Sequence, residues 1–284
     1  MRAMNLCVSP KMTDRYAVIG NPISHSKSPR IHKMFAEQTG QDISYEAILA
    51  PLDGFAETVE RLRKEGYKGC NVTVPFKFEA FEFAKPNLAN RAKAAQALNT
   101  LQFEGDTIFG DNTDGTGLVR DIQQNHNFPL AGRRILLMGA GGAAYGVALP
   151  LLSAGANLTV VNRTPSKAQQ LSQSFAAHGD ITDTTYEELK SSKQQFDMVI
   201  NATSSGLSDD DPPDLLGTIL AENGMAYEMV YSRETKFRRF ANDNHMKISD
   251  GLGMLVEQAA ESFFIWRGVR PETAPVIAAL RQQQ

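Results

Sequence analysis

The stretch of residues 133–152 carries the clearest pattern for chemistry in the chain. Residues 135–138 form a short apolar run without polar alternation, which is typical of a parallel strand buried on both faces. Gly139, Gly141 and Ala144 follow with the spacing G-x-G-x-x-A, which permits a tight turn, close approach of the backbone to a pyrophosphate and close packing of helix on strand. The N–H groups at the start of the next helix attract phosphate. The pattern predicts a dinucleotide site, although a plain glycine-rich turn has the same spacing.

The residues after the next predicted strand, 157–161, indicate which dinucleotide binds. An NAD-binding protein usually has Asp or Glu about 20 residues past the first glycine, to hold the ribose 2′-hydroxyl. This chain has Asn162, Arg163 and Thr164 there, with Lys167 one helical turn later. Two cations without a neighbouring carboxylate can bind a 2′-phosphate, so the sequence predicts NADP. The same residues also fit an ordinary turn in which Thr164 caps the helix and Pro165 occupies its first turn.

A second group of polar residues lies in the first half of the chain. The segment 21–29, NPISHSKSP, is rich in hydroxyls, and Ser28-Pro29 predicts the start of a helix. Hydroxyls at a helix N-terminus suit a carboxylate, although a simple cap is the plainer explanation of Ser28. Lys77 follows the predicted strand 69–74, where a side chain faces the ligand crevice of an α/β sheet. Surface lysines are common, so position alone assigns it no role, and Asp111 and Asp114 are equally explained as turn or cap residues.

Alternating strands and helices must hold these residues in place. Apolar runs and turn signals predict strands at 16–19, 44–49, 69–74, 135–138, 157–161, 198–201, 226–230 and 246–249, and a hairpin at 99–103 and 107–109. Helical spacing predicts helices from Ser28 to Gly40, from 55 to Gly66, at 87–98, 118–125 and 165–178, after Gly141, near Glu187, at 236–244, within 250–268 and at 271–281. This alternation is typical of an α/β fold with mostly parallel sheets.

Length and composition fit a globular protein of two domains. The chain has 284 residues, of which 42% are hydrophobic and 21% charged, with a net charge of −3. Because both charge signs are interspersed, we expect neither nucleic acid nor an anionic membrane as partner. Cys7 and Cys70 lack metal-ligand or redox spacing, which indicates a reduced cytoplasmic protein without a metal site.

Two segments are predicted to lack regular structure. Residues 1–11 show no periodicity and precede a further methionine, Met12, so we expect residues 1–13 to be a disordered extension or Met1 to be an upstream start with Met12 as the native one. Asp209, Asp210 and Asp211 precede two prolines, which restrict convergence on an ion, so the loop 208–214 is predicted to be solvated rather than metal-binding.

Taken together, the motifs resemble the shikimate dehydrogenase family. They are NPISHSKSP, NVTVPFK, ALNTL, GDNTDG, GAGGAA, NRT, NATSSG and DGLGMLVEQAA, in the family's order from about residue 16 to the C-terminus. The resemblance implies reversible NADPH-linked reduction of 3-dehydroshikimate to shikimate, in chorismate and aromatic amino-acid biosynthesis. It also implies two α/β domains flanking a cleft: a substrate domain of 14–113 and 251–284 with a mostly parallel sheet, and a Rossmann-like NADP domain of 114–250.

The resemblance also implies roles for particular residues. Lys77 and Asp114 match the catalytic pair, and Asp114 is also a substrate residue. The other substrate residues are Ser26 and Ser28, which would hold the carboxylate, and Thr73, Asn99, Tyr231 and Gln258. The cofactor residues are Gly139, Ala140, Gly141, Gly142, Ala143, Asn162, Arg163, Thr164, Lys167, Met229 and Gly251. Residue chemistry supports this, because oxidation of an alcohol needs a group that takes its proton, and a lysine oriented by a carboxylate can do so.

Two other interpretations stay open on the sequence. A quinate/shikimate dehydrogenase that uses NAD would have the same fold, but Asn162-Arg163-Thr164 argues against it because the ribose hydroxyl lacks an acidic partner. Lys167 stands where arginine is usual in the family, so selectivity for NADP is expected to be softer. A non-catalytic NADP-binding regulator would need no proton-transfer pair, so Lys77 and Asp114 disfavour it. The sequence leaves open whether the protein is a monomer or a homodimer.

Overall fold

The computed structural model describes residues 13–85, 87–203, 215–231 and 233–282. The predicted disordered extension, apart from residue 13, and the predicted solvated loop 208–214 lie outside the described residues.

The first half of the chain forms one sheet and four helices. The strands are β1 (Asp14–Gly20), β2 (Ile43–Leu49), β3 (Tyr67–Val72), β4 (Thr100–Glu104) and β5 (Thr107–Asp111), and the helices are α1 (Ser28–Thr39), α2 (Phe55–Lys64), α3 (Lys77–Ala84) and α4 (Asn90–Ala95). The strand order is β2-β1-β3-β4-β5. β1, β2 and β3 are parallel, whereas β4 pairs antiparallel with both β3 and β5. The prediction of a mostly parallel sheet is confirmed.

The second sheet follows in sequence. Its strands are β6 (Arg134–Met138), β7 (Asn157–Val161), β8 (Ile181–Thr184), β9 (Phe196–Asn201), β10 (Leu220–Glu228) and β11 (Lys247–Asp250). The helices α5 (Asp114–Arg120), α6 (Gly142–Ser153), α7 (Pro165–Phe175), α8 (Tyr186–Ser191), α9 (Leu216–Ile219) and α10 (Lys236–Asp243) precede or connect them. All neighbours in the order β11-β10-β9-β6-β7-β8 are parallel. This is the doubly wound order of the Rossmann fold, as predicted.

The last two helices return to the first sheet. They are α11 (Leu252–Arg267) and α12 (Ala274–Arg281). β1 is buried on both faces because one face packs on α2 and α3 through Ala17 and Ile19, while on the other Tyr16 stacks on Trp266 of α11 with ring centroids 4.6 Å apart. α11 also packs along α5, at the point where the chain passes from the first sheet to the second. The C-terminal helices therefore join the two halves.

Several element predictions were wrong in detail. Ser28 is the first residue of α1 rather than its cap, and the N-cap residue, Lys27, makes no capping bond through its side chain. The helices predicted at 87–98 and 118–125 are α4, which ends at the left-handed Gln96 (φ +49°), and α5, which continues into a π-helical turn over Asp121–Asn125. α3, β8 and α9 were not predicted at all.

None of the helices within the described ranges is both long and apolar enough to cross a bilayer. Over the same residues, no group of three or more His, Cys, Asp or Glu side chains is placed to hold a metal ion. Cys70 is buried in the core of the first sheet, and this burial raises the pKa of its thiol.

Candidate active site

A cavity of about 850 Å³ lies between residues of the two sheets. It is lined by every residue predicted to bind substrate or to catalyse, together with two of the predicted cofactor residues: Ser26, Ser28, Thr73, Lys77, Asn99, Asp114, Met229, Tyr231, Gly251 and Gln258. The other predicted cofactor residues do not line it. They lie at the carboxyl ends of β6 and β7, in the second sheet.

Lys77 and Asp114 form an ion pair within this cavity. Lys77 Nζ donates to Asp114 Oδ2 over 2.5 Å. The side chain of Lys77 is 30% exposed and that of Asp114 15%, so the pair is partly withdrawn from solvent yet open to a ligand. Lys77 is the first residue of α3 and Asp114 the first residue of α5. The pair thus joins the carboxyl end of β3 to the helix that leads into the second sheet.

The backbone on both sides of the ion pair is held by hydrogen bonds. The carbonyl of Lys77 accepts from the Leu98 N–H over 3.1 Å. The N–H of Asp114 donates to Asn112 Oδ1 over 3.1 Å, and Asn112 Nδ2 in turn donates to the carbonyl of Ala97 over 3.0 Å. Because Asn112 is buried, the segments before α3 and α5 are fixed relative to each other.

The Asn99 amide extends the pair into a polar network. Asn99 Nδ2 donates to Asp114 Oδ1 over 2.9 Å and lies 3.0 Å from Gln258 Oε1. Asn99 Oδ1 accepts from the Thr113 N–H over 2.9 Å. Gln258 is held from α11 by a bond from its Nε2 to the carbonyl of Leu255. The network therefore brings together polar groups from the residue before β4, from the start of α5 and from α11 at one wall of the cavity.

The start of α1 supplies another wall. Ser28 is buried and its backbone N–H lies 3.3 Å from Ser26 Oγ. Ser26 is only partly buried and lines the cavity beside the N-terminus of α1. Two hydroxyls and a helix N-terminus together can bind a carboxylate, as the sequence predicted.

The glycine-rich turn has the shape that a pyrophosphate needs. Gly139 has φ +108°, and a Cβ there would lie 3.2 Å from the backbone of Ala202, so the strand-to-helix turn requires glycine. Gly141 is the N-cap residue of α6, and a Cβ on it would meet nothing within 4 Å. Open space therefore lies above the N-terminus of α6, at the switch point between β6 and β9.

Two cations stand at the end of β7. Arg163 and Lys167 are exposed, and neither side chain makes an ion pair or hydrogen bond with another residue of the described ranges. The preceding Asn162 donates from Nδ2 to the carbonyl of Thr164 over 3.0 Å. Thr164 is the N-cap residue of α7, but its side chain accepts no capping hydrogen bond. The structure therefore does not support the alternative in which Thr164 simply caps the helix.

The segment after β10 completes the cavity next to the second sheet. Gly251 must lack a side chain because a Cβ would lie 2.1 Å from the carbonyl oxygen of Met229. Beneath it, Glu228 is buried and accepts from Asn201 Nδ2 and Thr235 Oγ1, and burial raises the pKa of its carboxyl. Burial likewise raises the pKa of the half-buried Tyr231.

Several cavity residues were missed by the sequence reasoning. Asn71, on β3, and Met254 and Leu255, on α11, line the cavity, as does Arg238 of α10, which ion-pairs with Asp250 at 3.6 Å. Two signals could have revealed Asn71: it is a single amide within the buried run GCNVTV, and it is the first residue of the motif NVTVPFK. Met254 and Leu255 lie within the motif DGLGMLVEQAA, whereas Arg238 carries no local pattern and reaches the cavity only through the packing of α10.

These features define the class of protein. A Rossmann-ordered sheet with a glycine-rich turn and two unpaired cations stands beside a polar cavity that contains a lysine–carboxylate pair. That combination is typical of a two-domain, NAD(P)-linked oxidoreductase.

Comparison with known proteins identifies the family. Residues 18–101 match the family model described as shikimate dehydrogenase substrate binding domain, residues 121–208 that of shikimate / quinate 5-dehydrogenase, and residues 251–281 that of shikimate 5'-dehydrogenase C-terminal domain. The chain belongs to the shikimate dehydrogenase family and is an NADP-dependent oxidoreductase.

Individual relatives are similar over nearly the whole chain. The shikimate dehydrogenase (NADP(+)) of Nitrosospira multiformis is 57% identical over 95% of this chain and 98% of its own length. That of Aromatoleum aromaticum is 56% identical over the same shares. The crystal structure of shikimate 5-dehydrogenase from Thermus thermophilus in complex with NADP(H) and shikimate has a TM-score of 0.83 at 32% identity, covering 95% of this chain and all of that one.

Proposed function

We propose that this chain is a shikimate dehydrogenase that reversibly reduces 3-dehydroshikimate to shikimate with NADPH, in the chorismate pathway to aromatic amino acids. Its family and the names of its relatives support this function. The observation that carries it is the Lys77–Asp114 ion pair inside a cavity lined with hydroxyls and amides. A non-catalytic NADP-binding protein would have no need of that pair.

In this proposal the two parts of the chain bind different ligands. Residues 14–113 and 251–284 would bind the ring acid, because they contribute the walls of the cavity from α1, β3 and α11. Residues 114–250 would bind NADP. Asp114 begins α5, so the catalytic pair spans the proposed boundary.

Lys77 would move the proton. In the oxidation of shikimate, its ε-amino group accepts the hydroxyl proton of the reacting carbon; in the reverse reaction, the ammonium donates a proton to the carbonyl oxygen. Asp114 holds the ε-nitrogen at 2.5 Å and compensates its positive charge. Asn99 holds the other carboxylate oxygen, so Asp114 has little freedom to turn away. NADPH, when bound, supplies the hydride.

The remaining cavity residues suit a ring acid with several hydroxyls. Ser26 and Ser28, at the start of α1, would bind the carboxylate. Thr73, Asn99, Tyr231 and Gln258 would bind the ring hydroxyls and exclude water from the reacting carbon, together with Asp114. This division follows from the position of the hydroxyls at a helix N-terminus and of the amides next to the proton-transfer pair.

The chain's own residues fit NADP. The open space above Gly141 and the N-terminus of α6 suits a pyrophosphate, held by the backbone of Gly139, Ala140, Gly141, Gly142 and Ala143. Arg163 and Lys167 would bind the 2′-phosphate, with Asn162 and Thr164 shaping the turn that carries them. Met229 and Gly251 would border the nicotinamide, because they line the cavity from the second sheet.

The test is to add shikimate and NADP to the purified protein and follow NADPH absorbance. Shikimate-dependent NADPH formation is expected, and its absence would remove the proposed function. Parallel assays with quinate and with NAD separate the rival enzyme, since equal use of both cofactors would defeat the choice of NADP. We propose that the enzyme acts in the cytoplasm, as a monomer or homodimer, on small molecules alone.

A further inference from the structure

Phe78 is an exposed aromatic residue at the start of α3, directly after Lys77. It is 56% exposed, whereas Phe81 and Phe83 of the same helix pack against the core of the first sheet. Lys77 lines the cavity and Phe78 does not. The Phe78 ring therefore belongs neither to the core nor to the cavity wall.

The tip of the Phe78 ring lies against the glycine-rich turn of the second sheet. A Cβ on Gly142 would lie 2.9 Å from Phe78 Cζ and 3.4 Å from its Cε2. The ring thus occupies the space that a side chain at position 142 would need. Because Gly142 is the first residue of α6, the contact joins α3 to the helix that begins at the proposed pyrophosphate site.

The ring leaves the space for the pyrophosphate open. A Cβ on Gly141, the N-cap residue of α6, would meet nothing within 4 Å, and this side of the turn is where the first N–H groups of the helix are free to bind phosphate. Phe78 lies beside that space rather than in it. The contact between Phe78 and Gly142 is therefore compatible with bound NADP.

The start of α3 has two attachments to the second half of the chain. Lys77 Nζ donates to Asp114 at the start of α5, and Phe78 contacts Gly142 at the start of α6. α5 and α6 are themselves in close contact, because a Cβ on Gly115 of α5 would lie 2.5 Å from a carbonyl oxygen of α6. One attachment alone would let α3 turn about the ion pair, whereas two fix its distance from the glycine-rich turn.

We propose that Phe78 is a positioning residue whose contact with Gly142 sets the distance between the Lys77 amine and the turn that carries NADP. The proposal rests on the proposed function, in which Lys77 acts on the oxygen of the reacting alcohol and the nicotinamide acts on its carbon. Both groups must reach one C–O bond at the same time. A misplacement of about 1 Å can lower the rate about 100-fold, and it affects kcat more than the binding of either ligand.

The first test is Phe78→Ala, which removes the ring and leaves the Lys77–Asp114 pair in place. kcat for shikimate oxidation should fall about tenfold or more, while the KM for shikimate and the dissociation constant of NADPH stay within about threefold of wild type. The melting temperature should be unchanged, because the ring is exposed. The matched control is Phe264→Ala, which removes a 45% exposed ring that faces the Arg270 guanidinium outside the cavity and should keep the wild-type kcat.

The second test is Gly142→Ala, made both in wild type and in the Phe78→Ala background. In wild type the added methyl group meets the Phe78 ring and should push α3 away from α6, so kcat should fall. Without the ring, the methyl group has room. The loss of kcat caused by Gly142→Ala should therefore be at least about fivefold larger in wild type than in the Phe78→Ala background, as expected of two residues in contact.

The outcomes separate positioning from other roles of Phe78. A lowered kcat for Phe78→Ala at unchanged melting temperature, together with this dependence of Gly142→Ala on the ring, supports the proposal. A kcat within about twofold of wild type, a rise in KM alone, or the same loss from Gly142→Ala in both backgrounds overturns it. If the wild-type protein does not oxidise shikimate at all, the proposed function has failed, and this proposal fails with it.

Discussion

Replacing Asp114 with asparagine removes the negative charge from the cavity without changing the shape of the side chain. In the structure, the two carboxylate oxygens of Asp114 each accept a hydrogen bond, Oδ2 from Lys77 Nζ and Oδ1 from Asn99 Nδ2. An asparagine has only one oxygen to offer. Whichever way its amide is turned, its NH₂ group faces either the ammonium of Lys77 or the NH₂ of Asn99, and one donor loses its acceptor.

The size of the effect follows from the bond that is lost. A hydrogen bond to a charged group contributes about 1.5–3 kcal/mol, more than one between neutral groups. If Asp114→Asn loses that amount in the transition state, kcat for shikimate oxidation falls roughly ten- to hundredfold. The nicotinamide-binding segments are untouched, so the dissociation constant of NADPH should stay within about twofold.

Steady-state rates with shikimate and NADP, together with an NADPH fluorescence titration, measure both quantities. Asp106→Asn is the matched control, because Asp106 stands fully exposed in the turn between β4 and β5, and its variant should have wild-type kinetics. A kcat for Asp114→Asn within twofold of wild type would contradict this expectation. Such a result would mean that Lys77 is oriented without Asp114.

Three further predictions test the cofactor site and the core. Arg163→Ala should weaken NADPH about tenfold or more and NADH by less than twofold in paired titrations, because it removes a charge-assisted bond to the 2′-phosphate; equal losses contradict that assignment. Burial lowers the pKa of His32 from 6.5 to about 3. Between these two values the unfolded chain binds a proton at this imidazole and the folded protein does not, so the free energy of unfolding decreases as the pH falls below 6.5. His32→Phe should therefore lose about 2 kcal/mol less stability than wild type between pH 7 and 5 in urea unfolding, whereas the exposed His178→Gln should follow wild type. Gly139→Ala should cost at least about 1 kcal/mol of stability and weaken NADP binding, because φ +108° is strained for any residue with a Cβ, which would also lie only 3.2 Å from the Ala202 backbone; a wild-type unfolding midpoint would argue against this.

The sequence was most informative where one local pattern determines structure. The apolar run before Gly139 and the glycine spacing predicted β6 and α6, because a buried parallel strand and a tight turn each need particular residue types. Lys77 could be located just past β3, but its approach to Asp114, 37 positions later, depends on hydrogen bonds that no pattern near either residue encodes. The motifs of the family, taken in order, were needed to pair them.

The elements that were missed have weak local signals. α3 begins directly after Pro75-Phe76 without a capping side chain, and its sequence KFEAFEFA has apolar residues on every face. β8, with the sequence ITDT, is a four-residue edge strand that is stabilised by pairing with β7 rather than by its own composition. Asn71 was missed because its partners come from β2, β4 and α11, which only the tertiary fold brings together.

The proton-transfer role of Lys77 is tested most directly by measuring kcat of Lys77→Ala with shikimate and NADP, alongside its dissociation constant for NADPH. We expect a loss of about 10²–10⁴-fold in kcat, the usual contribution of a general acid–base group, with NADPH binding within about twofold of wild type. A variant that keeps most of the wild-type kcat would contradict it.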